Sequence, residues 1–374
     1  MNHFDVVVIG LGVIGSAALH EFARRKISVL GIERFAVGHD RGSSHGATRI
    51  IRLAYFEHPS YVPLVQRAYA LWRELEEASG QKLLHITGVA EMGPPGGTLM
   101  QGTLASARLH GLRHEVLAAS EFMSRFPAFR LPSDFIAMVQ PDSGFLLAEP
   151  AIHALIGQAK AAGAQVREHA TVRAIEPRAS GVRVLTDLGA IDAAAAILAA
   201  GPWITSLLPD LSARLRITRQ VMGWFAPTEP QRFAAGFPVF LIESRYGMHY
   251  GFPPVGETGI KVAKHHHRDE AVNPDRYDRI ISAEDEALIR AVLAEHIPAA
   301  NGPLLDAKTC LYTVTPDGDF ILDRVPGLPQ VIIASPCSGH GFKFAPALGE
   351  IVADLAMAGG THHDIGRFSL ARFG

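Results

Sequence analysis

The sequence predicts a fold in two parts: an α/β unit built on a parallel sheet, and an α+β part with a more antiparallel sheet. An unbroken apolar run at residues 4–9 leads into closely spaced glycines and a helical pattern, which is typical of a buried parallel strand opening a βα unit. From about Gln81 the pattern changes to short strands separated by proline and glycine turns. The length of 374 residues also suggests about two domains.

The glycines after the first strand have the spacing G-x-G-x-x-G at Gly10, Gly12 and Gly15. Gly10 allows a tight turn, Gly12 lets the backbone approach a pyrophosphate, and Gly15 lets the helix pack close to the strand. The helix opens with Val13 and Ile14, and its N–H groups and dipole favour a phosphate. In this strand–turn–helix context the motif predicts dinucleotide binding. A glycine-rich turn without a ligand is the alternative.

The second predicted strand, residues 27–32, ends at Glu33. An acidic residue about 20 positions beyond the glycines is expected to hold a ribose hydroxyl. We therefore assign Glu33 and its neighbour Arg34 to the nucleotide site.

Composition limits the possible functions. Hydrophobic residues make up 48% of the chain and charged residues 19%, so a large core can form. The net charge of -2 gives no reason to expect a nucleic acid or an acidic membrane as partner. The only cysteines are Cys310 and Cys337, which excludes a disulfide framework and favours a reducing compartment. The first strand follows without a signal sequence and no apolar stretch matches a membrane span, so we expect a cytoplasmic protein.

A polar loop over residues 39–49 follows Glu33, and its glycines, serines and charges are typical of a loop that faces a ligand. Arg49 and Arg52 are three residues apart and would share one face of a helix; a solvated basic face is the alternative. A helix with a buried apolar stripe over residues 64–75 follows and ends at Gly80.

Later segments alternate between the two parts. The second part is predicted to contain strands at 87–92 and 135–139 and a helix at 104–110. A helix at 149–162, a strand from Gln165 and a strand at 192–200 then return to the first part. The last of these strands runs into a glycine turn containing Gly201 and Trp203, which suits a nucleotide face.

The second part resumes with four strands and a helix. The helix is predicted to begin at Ser282, with Asp285 completing a capping box, and to end at His296 before a proline. The four strands span residues 219–226, 239–243, 248–251 and 259–263.

The run His265, His266 and His267 raises the question of a metal site. Consecutive residues near a strand end point to opposite faces, and zinc needs further ligands at defined spacing, so we predict no metal and expect at least one of these histidines to be exposed. From spacing alone, Lys261 and Lys264 could be ordinary surface lysines.

The last stretch is the most specific. A segment over 309–320 contains Cys310 and Tyr312, and a buried strand from residue 331 leads to the polar turn Gly339, His340 and Gly341. A helix then begins at Phe344, and its N-terminus could stabilise negative charge on a cofactor ring.

Taken together, residues 4–33, 42–52, 310–313 and 338–344 closely resemble the monomeric sarcosine oxidase and N-methyl-L-tryptophan oxidase family, over nearly the whole chain. The resemblance implies FAD as cofactor and a glutathione-reductase-like Rossmann FAD-binding domain with an inserted antiparallel-sheet substrate domain. We expect the FAD-binding domain to comprise residues 1–80, 143–215 and 308–374, and the substrate domain residues 81–142 and 216–307.

The resemblance also implies roles for individual residues. Cys310 matches the cysteine that carries FAD covalently, for which a thiolate is the plausible nucleophile, while Cys337 is expected to pack beside the flavin. Arg52 and Lys343 match the pair that binds the substrate carboxylate, with Tyr312 nearby. The remaining matched residues are assigned to the flavin or the reaction: Lys261, Arg49, His45, His265, Tyr250, Ser43, Ser44, Gly201, Trp203, Ser338, Gly339, His340, Gly341 and Phe342.

Three positions depart from the best-known members of this family. Ser44 stands where they have a histidine, Ala47 where they have an acid, and His249 where they have a tyrosine. These departures leave the flavin residues in place and leave the substrate side chain open.

The implied activity is amine oxidation. Lys261 would lie near flavin N5 and promote the reaction with oxygen, because a positive charge stabilises the developing anion. The products would be hydrogen peroxide and an imine, which water hydrolyses to an aldehyde and an amino acid.

Sarcosine is the first candidate substrate; N-methyltryptophan, pipecolate and fructosyl amino acids are others. A monomer is expected. Two alternatives stay open: an NAD-dependent dehydrogenase and a non-catalytic flavoprotein. A dehydrogenase would not explain the segment around Cys310.

Overall fold

The computed structural model describes residues 3–234, 236–256, 258–336 and 338–374. Cys337, for which a packing role is predicted, lies outside the described residues. The helices are α1 Val13–Arg24, α2 Tyr61–Ser79, α3 Thr98–Leu109, α4 Ala119–Arg125, α5 Ala148–Ala161, α6 Ile204–Leu207, α7 Ala283–His296 and α8 Ala345–Ala358. The strands are β1 His3–Ile9, β2 Val29–Ile32, β3 Thr48–Ile51, β4 Leu84–Ile86, β5 Val89–Gly93, β6 Glu115–Ala118, β7 Ile136–Gln140, β8 Gly144–Leu147, β9 Gln165–Arg167, β10 Val172–Arg178, β11 Gly181–Thr186, β12 Gly189–Leu198, β13 Arg216–Phe225, β14 Val239–Ser244, β15 Gly247–Phe252, β16 Ile260–Lys264, β17 Leu304–Val314, β18 Ile321–Val325 and β19 Leu328–Ser335.

The first sheet has a parallel centre, as predicted. Strand β1 pairs in parallel with β2 and β12, β2 pairs with β9, and β12 pairs with β19. Strands β10, β11 and β18 add antiparallel pairs at its margins. The apolar residues of α1, α2, α5 and α8 form one core cluster with the central strands, so this sheet is buried in the manner expected of parallel strands.

The glycine turn after β1 is held by close backbone contacts. A Cβ atom on Gly15 would lie 1.8 Å from the carbonyl oxygen of Gly10, so only glycine lets α1 start this close to the strand. Gly10 has φ +88°, and a Cβ there would lie 2.6 Å from the carbonyl oxygen of Ala199 on the neighbouring chain segment. These contacts give the predicted roles of Gly10 and Gly15 a direct steric reason.

The second sheet has the order β17-β13-β16-β15-β14-β5-β7-β6, and only β14 and β5 pair in parallel among its described strands. A third, small antiparallel sheet has the order β3-β8-β4. The predicted antiparallel character of the second part is therefore confirmed. Strand β17 pairs with β13 in this sheet, although residues from 308 onward were assigned to the first domain. The domain ranges themselves stay a prediction.

Two predicted helix ends are confirmed by their caps. Gly80 ends α2 in the left-handed conformation, with φ +67°. Ser282 and Asp285 form the predicted capping box of α7.

The helical arrangement considered for Arg49 and Arg52 is wrong. Residues 48–51 form strand β3, which pairs with β8, so the two arginines do not share a helix face. Arg52 is only 3% exposed, and it is therefore not part of a solvated basic face.

The expectation that at least one of the three consecutive histidines is exposed is also wrong. His265 and His266 are half-buried and His267 is buried. His267 Nε2 lies 3.0 Å from Asp285 Oδ1, and Asp285 also accepts hydrogen bonds from the Arg219 guanidinium at 2.9 and 3.0 Å. Within the described residues no group of three or more His, Cys, Asp or Glu side chains could hold a metal ion. None of the helices formed by the described residues is long and apolar enough to cross a membrane.

The buried pair of Arg219 and Asp285 joins β13 to the start of α7 and yields a stability prediction. The two side chains are 6% and 2% exposed, so Asp285→Ala should leave an uncompensated buried guanidinium and lower the free energy of unfolding by about 3–5 kcal/mol. Asp192→Ala, which breaks the Arg183 pair at 39% and 45% exposure, should cost at most about 1 kcal/mol. Denaturant unfolding of both variants measures this, and equal losses would contradict the buried pair's importance.

Candidate active site

A cavity of about 450 Å³ is lined by residues of both large sheets. It begins at the glycine turn after β1 and reaches Cys310, Arg52 and Lys343. Among the predicted site residues, all of them described by the structure, Gly15, His45 and Lys261 do not line it. The others do: Gly10, Gly12, Val13, Ile14, Glu33, Arg34, Ser43, Ser44, Arg49, Arg52, Gly201, Trp203, Tyr250, His265, Cys310, Tyr312, Ser338, Gly339, His340, Gly341, Phe342 and Lys343.

At one end of the cavity lie the N-terminus of α1 and Glu33. Gly12 is the N-cap residue and has no side chain to cap the helix; Ser44 Oγ instead accepts a hydrogen bond from the N–H of Val13 at 3.2 Å. Glu33 accepts from the N–H of Leu11 at 2.8 Å and of Phe35 at 3.0 Å. Although burial opposes it, hydrogen bonds from His39 and the backbone lower the pKa of Glu33, so it is a carboxylate. This end can receive a diphosphate and a ribose hydroxyl.

Asp275 closes this end from the second part of the chain. Its Oδ1 accepts from Arg34 Nη1 at 2.7 Å and from Trp203 Nε1 at 2.9 Å. Both partners were predicted to bind the cofactor, whereas Asp275 was not. Because it lies in an irregular segment after β16, no periodicity or motif identifies it.

The loop between Ser43 and Arg49 is held by charged side chains that bind its backbone. Arg49 donates to the carbonyl oxygens of Ser43 at 2.8 Å, Thr48 at 2.9 Å and His45. Glu149, in the first turn of α5, accepts from the N–H of Gly46 at 2.7 Å and of Ala47 at 3.0 Å. These contacts within the chain fix the path of the loop.

Lys261 reaches the same loop from β16. Its Nζ donates to the carbonyl oxygens of Gly46 at 2.6 Å and Thr48 at 2.9 Å, and lies 3.3 Å from the Thr48 hydroxyl. Lys261 is buried, which excludes a surface lysine. Burial, with Arg49 acting in the same direction, lowers the pKa of Lys261 well below its usual range. Its charge is thus sensitive to any anion that arrives nearby.

His45 is part of this loop; its side chain is buried, and neither ring nitrogen has a hydrogen-bond partner. Burial lowers the pKa of His45 to about 4, so the ring is neutral at physiological pH. An unpartnered buried imidazole is unusual and indicates that a polar group is expected beside it.

Cys310 lies on β17, buried and facing the cavity. Burial raises the pKa of the Cys310 thiol, while the positive charges of Arg49 and Lys261 act in the opposite direction. The neighbouring cations are the groups that would favour a thiolate, the reactive form of cysteine.

At the other end, two buried cations flank the ring of Tyr55. The Arg52 guanidinium lies 4.2 Å from the ring centroid, and Lys343 Nζ lies 5.1 Å from the centroid and 3.3 Å from the hydroxyl. Lys343 also donates to the carbonyl oxygen of His340 at 2.8 Å. Burial, together with Arg52, lowers the pKa of Lys343 to about 7. Such a pair can bind a carboxylate, with the guanidinium giving two parallel hydrogen bonds.

Arg52 already has carboxylate neighbours. Its Nη2 donates to both oxygens of Glu57 at 2.6 and 2.9 Å, and its Nε lies 3.7 Å from Glu91 Oε1. Although burial opposes it, Arg52 lowers the pKa of Glu57, which is therefore charged. The sequence analysis missed Tyr55 and Glu57, although both follow Arg52 within five residues. It also missed Glu91, because no motif or periodicity in the neighbouring sequence distinguishes this residue.

Aromatic and apolar side chains form the wall between the two ends. Tyr312 Oη lies 3.4 Å from His265 Nδ1, and burial lowers the pKa of His265 to about 3, so the ring is neutral. The turn after β19 packs on this wall, because a Cβ on Gly339 would lie 2.3 Å from the Tyr312 ring. The other apolar residues of the wall are Ile50, Phe56, Leu241, Met248, Tyr250 and Phe252.

Two of the three positions that depart from the resembled family lie away from the carboxylate end. Ser44 is at the N-terminus of α1. His249 is fully buried, and its Nε2 lies 3.2 Å from the carbonyl oxygen of Leu288 on α7, so it packs behind the sheet. Ala47 has φ +67° and donates its N–H to Glu149. These contacts indicate that the departures act on packing and loop shape.

The arrangement fits FAD. The glycine turn leaves backbone space for a diphosphate, Glu33 is ionised at the ribose end, and Cys310 faces the same cavity.

Comparisons with known proteins agree with this geometry. The family model described as FAD dependent oxidoreductase matches residues 5–355. Monomeric sarcosine oxidase from Bacillus sp. (strain NS-129) is 38% identical over 99% of this chain and 97% of its own length. N-methyl-L-tryptophan oxidase from Yersinia pestis is 37% identical over 99% of both chains. The solved structure of NikD, an amino acid oxidase essential for nikkomycin biosynthesis, matches with a TM-score of 0.87 and 27% identity over 99% of this chain and 98% of that chain.

Proposed function

The chain belongs to the family of FAD-dependent oxidoreductases, and from this premise we propose that it oxidises the C–N bond of secondary amino acids, with N-methyl amino acids such as sarcosine as the first candidates. The relatives are sarcosine and N-methyltryptophan oxidases by name. The observation that carries the proposal is the pair of buried cations, Arg52 and Lys343, which face the same cavity as Cys310. Two buried cations that line one cavity fit a ligand that carries a carboxylate.

The glycine turn, Glu33 and Cys310 would hold FAD, which would supply a two-electron acceptor for the hydride equivalent lost from the carbon next to the amine, with oxygen as the final acceptor and hydrogen peroxide as product. Arg52 and Lys343 hold the substrate carboxylate and thereby orient the amine. The neutral ring of His265 and the hydroxyl of Tyr312 lie beside the cavity as uncharged hydrogen-bonding groups. The apolar wall excludes water from the reacting atoms. Water admitted afterwards hydrolyses the imine to an aldehyde and an amino acid.

Three finer features belong to the same proposal. FAD is attached covalently through Cys310, which is supported by its position in the cavity beside Arg49 and Lys261. The enzyme acts as a monomer on a small molecule and oxygen. It works in the cytoplasm, in keeping with its two cysteines and the absence of any disulfide framework in the sequence.

We expect the flavin to stay with the protein after denaturation. Acid-precipitated wild type should remain yellow, whereas Cys310→Ala should release FAD to the supernatant, because the thioether can no longer form. Cys337→Ala, the matched control, should stay yellow. Complete release of FAD from the wild type would exclude covalent attachment.

Arg52→Ala should weaken the binding of amino acid substrates by roughly 2–5 kcal/mol, because truncation of a buried charge-assisted pair leaves its partners unpaired. Amines without a carboxylate should be affected much less. Steady-state kinetics with matched amines, and with Arg113→Ala as an exposed control, measure this difference. Equal losses for both kinds of amine would argue against the carboxylate role.

Lys261→Met should separate the two half-reactions. We expect the reduced enzyme to react with oxygen at least about a hundredfold more slowly, since one well-placed charge that meets a developing anion is lost. Reduction by substrate without oxygen should change far less, because the amine arrives neutral. Rapid mixing measures each half-reaction, and Lys264→Met is the matched control. Normal reoxidation with impaired reduction would move Lys261 to substrate binding.

A further inference from the structure

A second acidic side chain, Glu91, lies behind Arg52 and outside the cavity lining. Glu91 is 0% exposed. Its Oε2 accepts a hydrogen bond from Gln140 Nε2 at 2.7 Å, whereas its Oε1 has no hydrogen-bond partner and lies 3.7 Å from Arg52 Nε. Burying a carboxylate with one unpaired oxygen lowers the stability of the fold. Its place beside the substrate-binding guanidinium therefore suggests a role in the site.

The balance of charges in this cluster gives a reason for the position of Glu91. Arg52 and Lys343 bring at most two positive charges, and Glu57 and Glu91 bring at most two negative charges. A substrate carboxylate held by the two cations would add a third negative charge to a group that has little contact with water. Because an unpaired buried charge is strongly destabilising, we expect one of the carboxyl groups to be neutral in the complex.

Glu91 is the carboxyl group least able to stay ionised. Glu57 accepts two short hydrogen bonds from Arg52 at 2.6 and 2.9 Å and is one-fifth exposed. The substrate carboxylate would be held by Arg52 and Lys343 together. Glu91 has no charged hydrogen-bond donor: the Gln140 amide and the neighbouring Thr103 hydroxyl are neutral, and the Arg52 guanidinium lies beyond hydrogen-bond distance.

We propose that Glu91 takes up a proton when a carboxylate substrate binds to Arg52 and Lys343, and that it thereby keeps the buried cluster neutral. This inference rests on the proposed function, because it requires a carboxylate ligand. Glu91 then acts as a positioning residue: it tunes the charge of the site and keeps Arg52 available for the substrate.

The acid–base properties of the cluster agree with this. Burial raises the pKa of Glu91 to about 7, and burial lowers the pKa of Lys343 to about 7. Below neutral pH the cluster therefore has a net charge of about +1, which suits an incoming anion; above it the net charge tends to −1, which repels one. The charged and polar groups that face Glu91 or Lys343 are Arg52, Glu57, Gln140, Thr103, Tyr55 and His340.

The consequence is a steep dependence of carboxylate affinity on pH. Above neutral pH, binding must return one proton to Lys343 and one to Glu91, so the dissociation constant should rise by up to about a hundredfold per pH unit. In Glu91→Gln, which copies the neutral carboxyl group and keeps an acceptor for Gln140, only the proton of Lys343 remains. The rise should then be at most about tenfold per pH unit.

The test uses the flavin-loaded enzyme and 2-furoate, a carboxylate without an amine. Titrations followed by flavin absorption between pH 6 and 9 give the dissociation constants. Calorimetry in buffers of different ionisation enthalpy gives the number of protons taken up, expected at about two for the wild type and about one for Glu91→Gln at pH 8.5. Glu243→Gln is the matched control, because Glu243 lies on the adjacent strand β14 and accepts instead from the N–H groups of Thr98 and Leu99.

An infrared difference spectrum identifies the proton's position without relying on one variant. Binding of 2-furoate to the wild type at pH 8.5 should produce the band of a protonated carboxyl group, which the control Glu243→Gln keeps and Glu91→Gln loses. Equal pH slopes in the wild type and Glu91→Gln, or a band that persists in Glu91→Gln, would overturn the proposal. If Glu91→Gln does not fold, absence of the band in the wild type is sufficient to overturn it. Failure of 2-furoate to perturb the flavin at any pH would overturn the proposed function as well, whereas a pH slope of about tenfold in both the wild type and Glu91→Gln would overturn only the role of Glu91.

Discussion

The candidate site depends on the way one short segment, residues 43–52, is fixed between the two large sheets. Arg49 and Lys261 bind its carbonyl oxygens, and Glu149 binds its N–H groups. Hydrogen bonds from ionised groups to buried backbone are among the strongest in proteins, so they can hold an irregular segment that has little regular pairing. The segment also contains strand β3, and thus its fixed path decides where Arg52 enters the cavity.

A buried guanidinium can be kept only where anions compensate it. Arg52 meets this requirement with Glu57 in front and Glu91 behind, while the rings of Tyr55 and Phe56 cover its faces at 4.2 and 4.6 Å. The same compensation limits binding, because a substrate carboxylate competes for a cation that is already paired. Binding of a substrate carboxylate therefore replaces part of the existing pairing of Arg52 with acidic side chains. The ionisation of those side chains decides whether binding is favourable.

The nucleotide end follows a different principle, in which close backbone contact replaces charge. A Cβ atom on Gly15 would lie 1.8 Å from the Gly10 carbonyl oxygen, so glycine lets α1 begin this close to β1, and this directs the helix dipole into the cavity. Glu33 and Asp275 then add acceptors from two separate parts of the chain. The nucleotide end of the cavity is thus shaped by glycines, which have no side chains. The carboxylate end is shaped by ion pairs.

Local sequence determined the features that depend on neighbours along the chain. The apolar run of β1, the glycine spacing, the end of α2 at Gly80 and the capping box of α7 follow from periodicity and backbone preference, and the structure agrees with each of them. Similarity of motifs identified Arg52, Lys343 and Cys310, which share the cavity. Tertiary structure alone decided that residues 48–51 form a strand, since the pairing partner β8 lies about 95 positions later. It also brought Glu91, Glu149 and Asp275 to the site, because contacts between segments far apart in sequence arise only when the two sheets pack, and a local pattern carries no record of them.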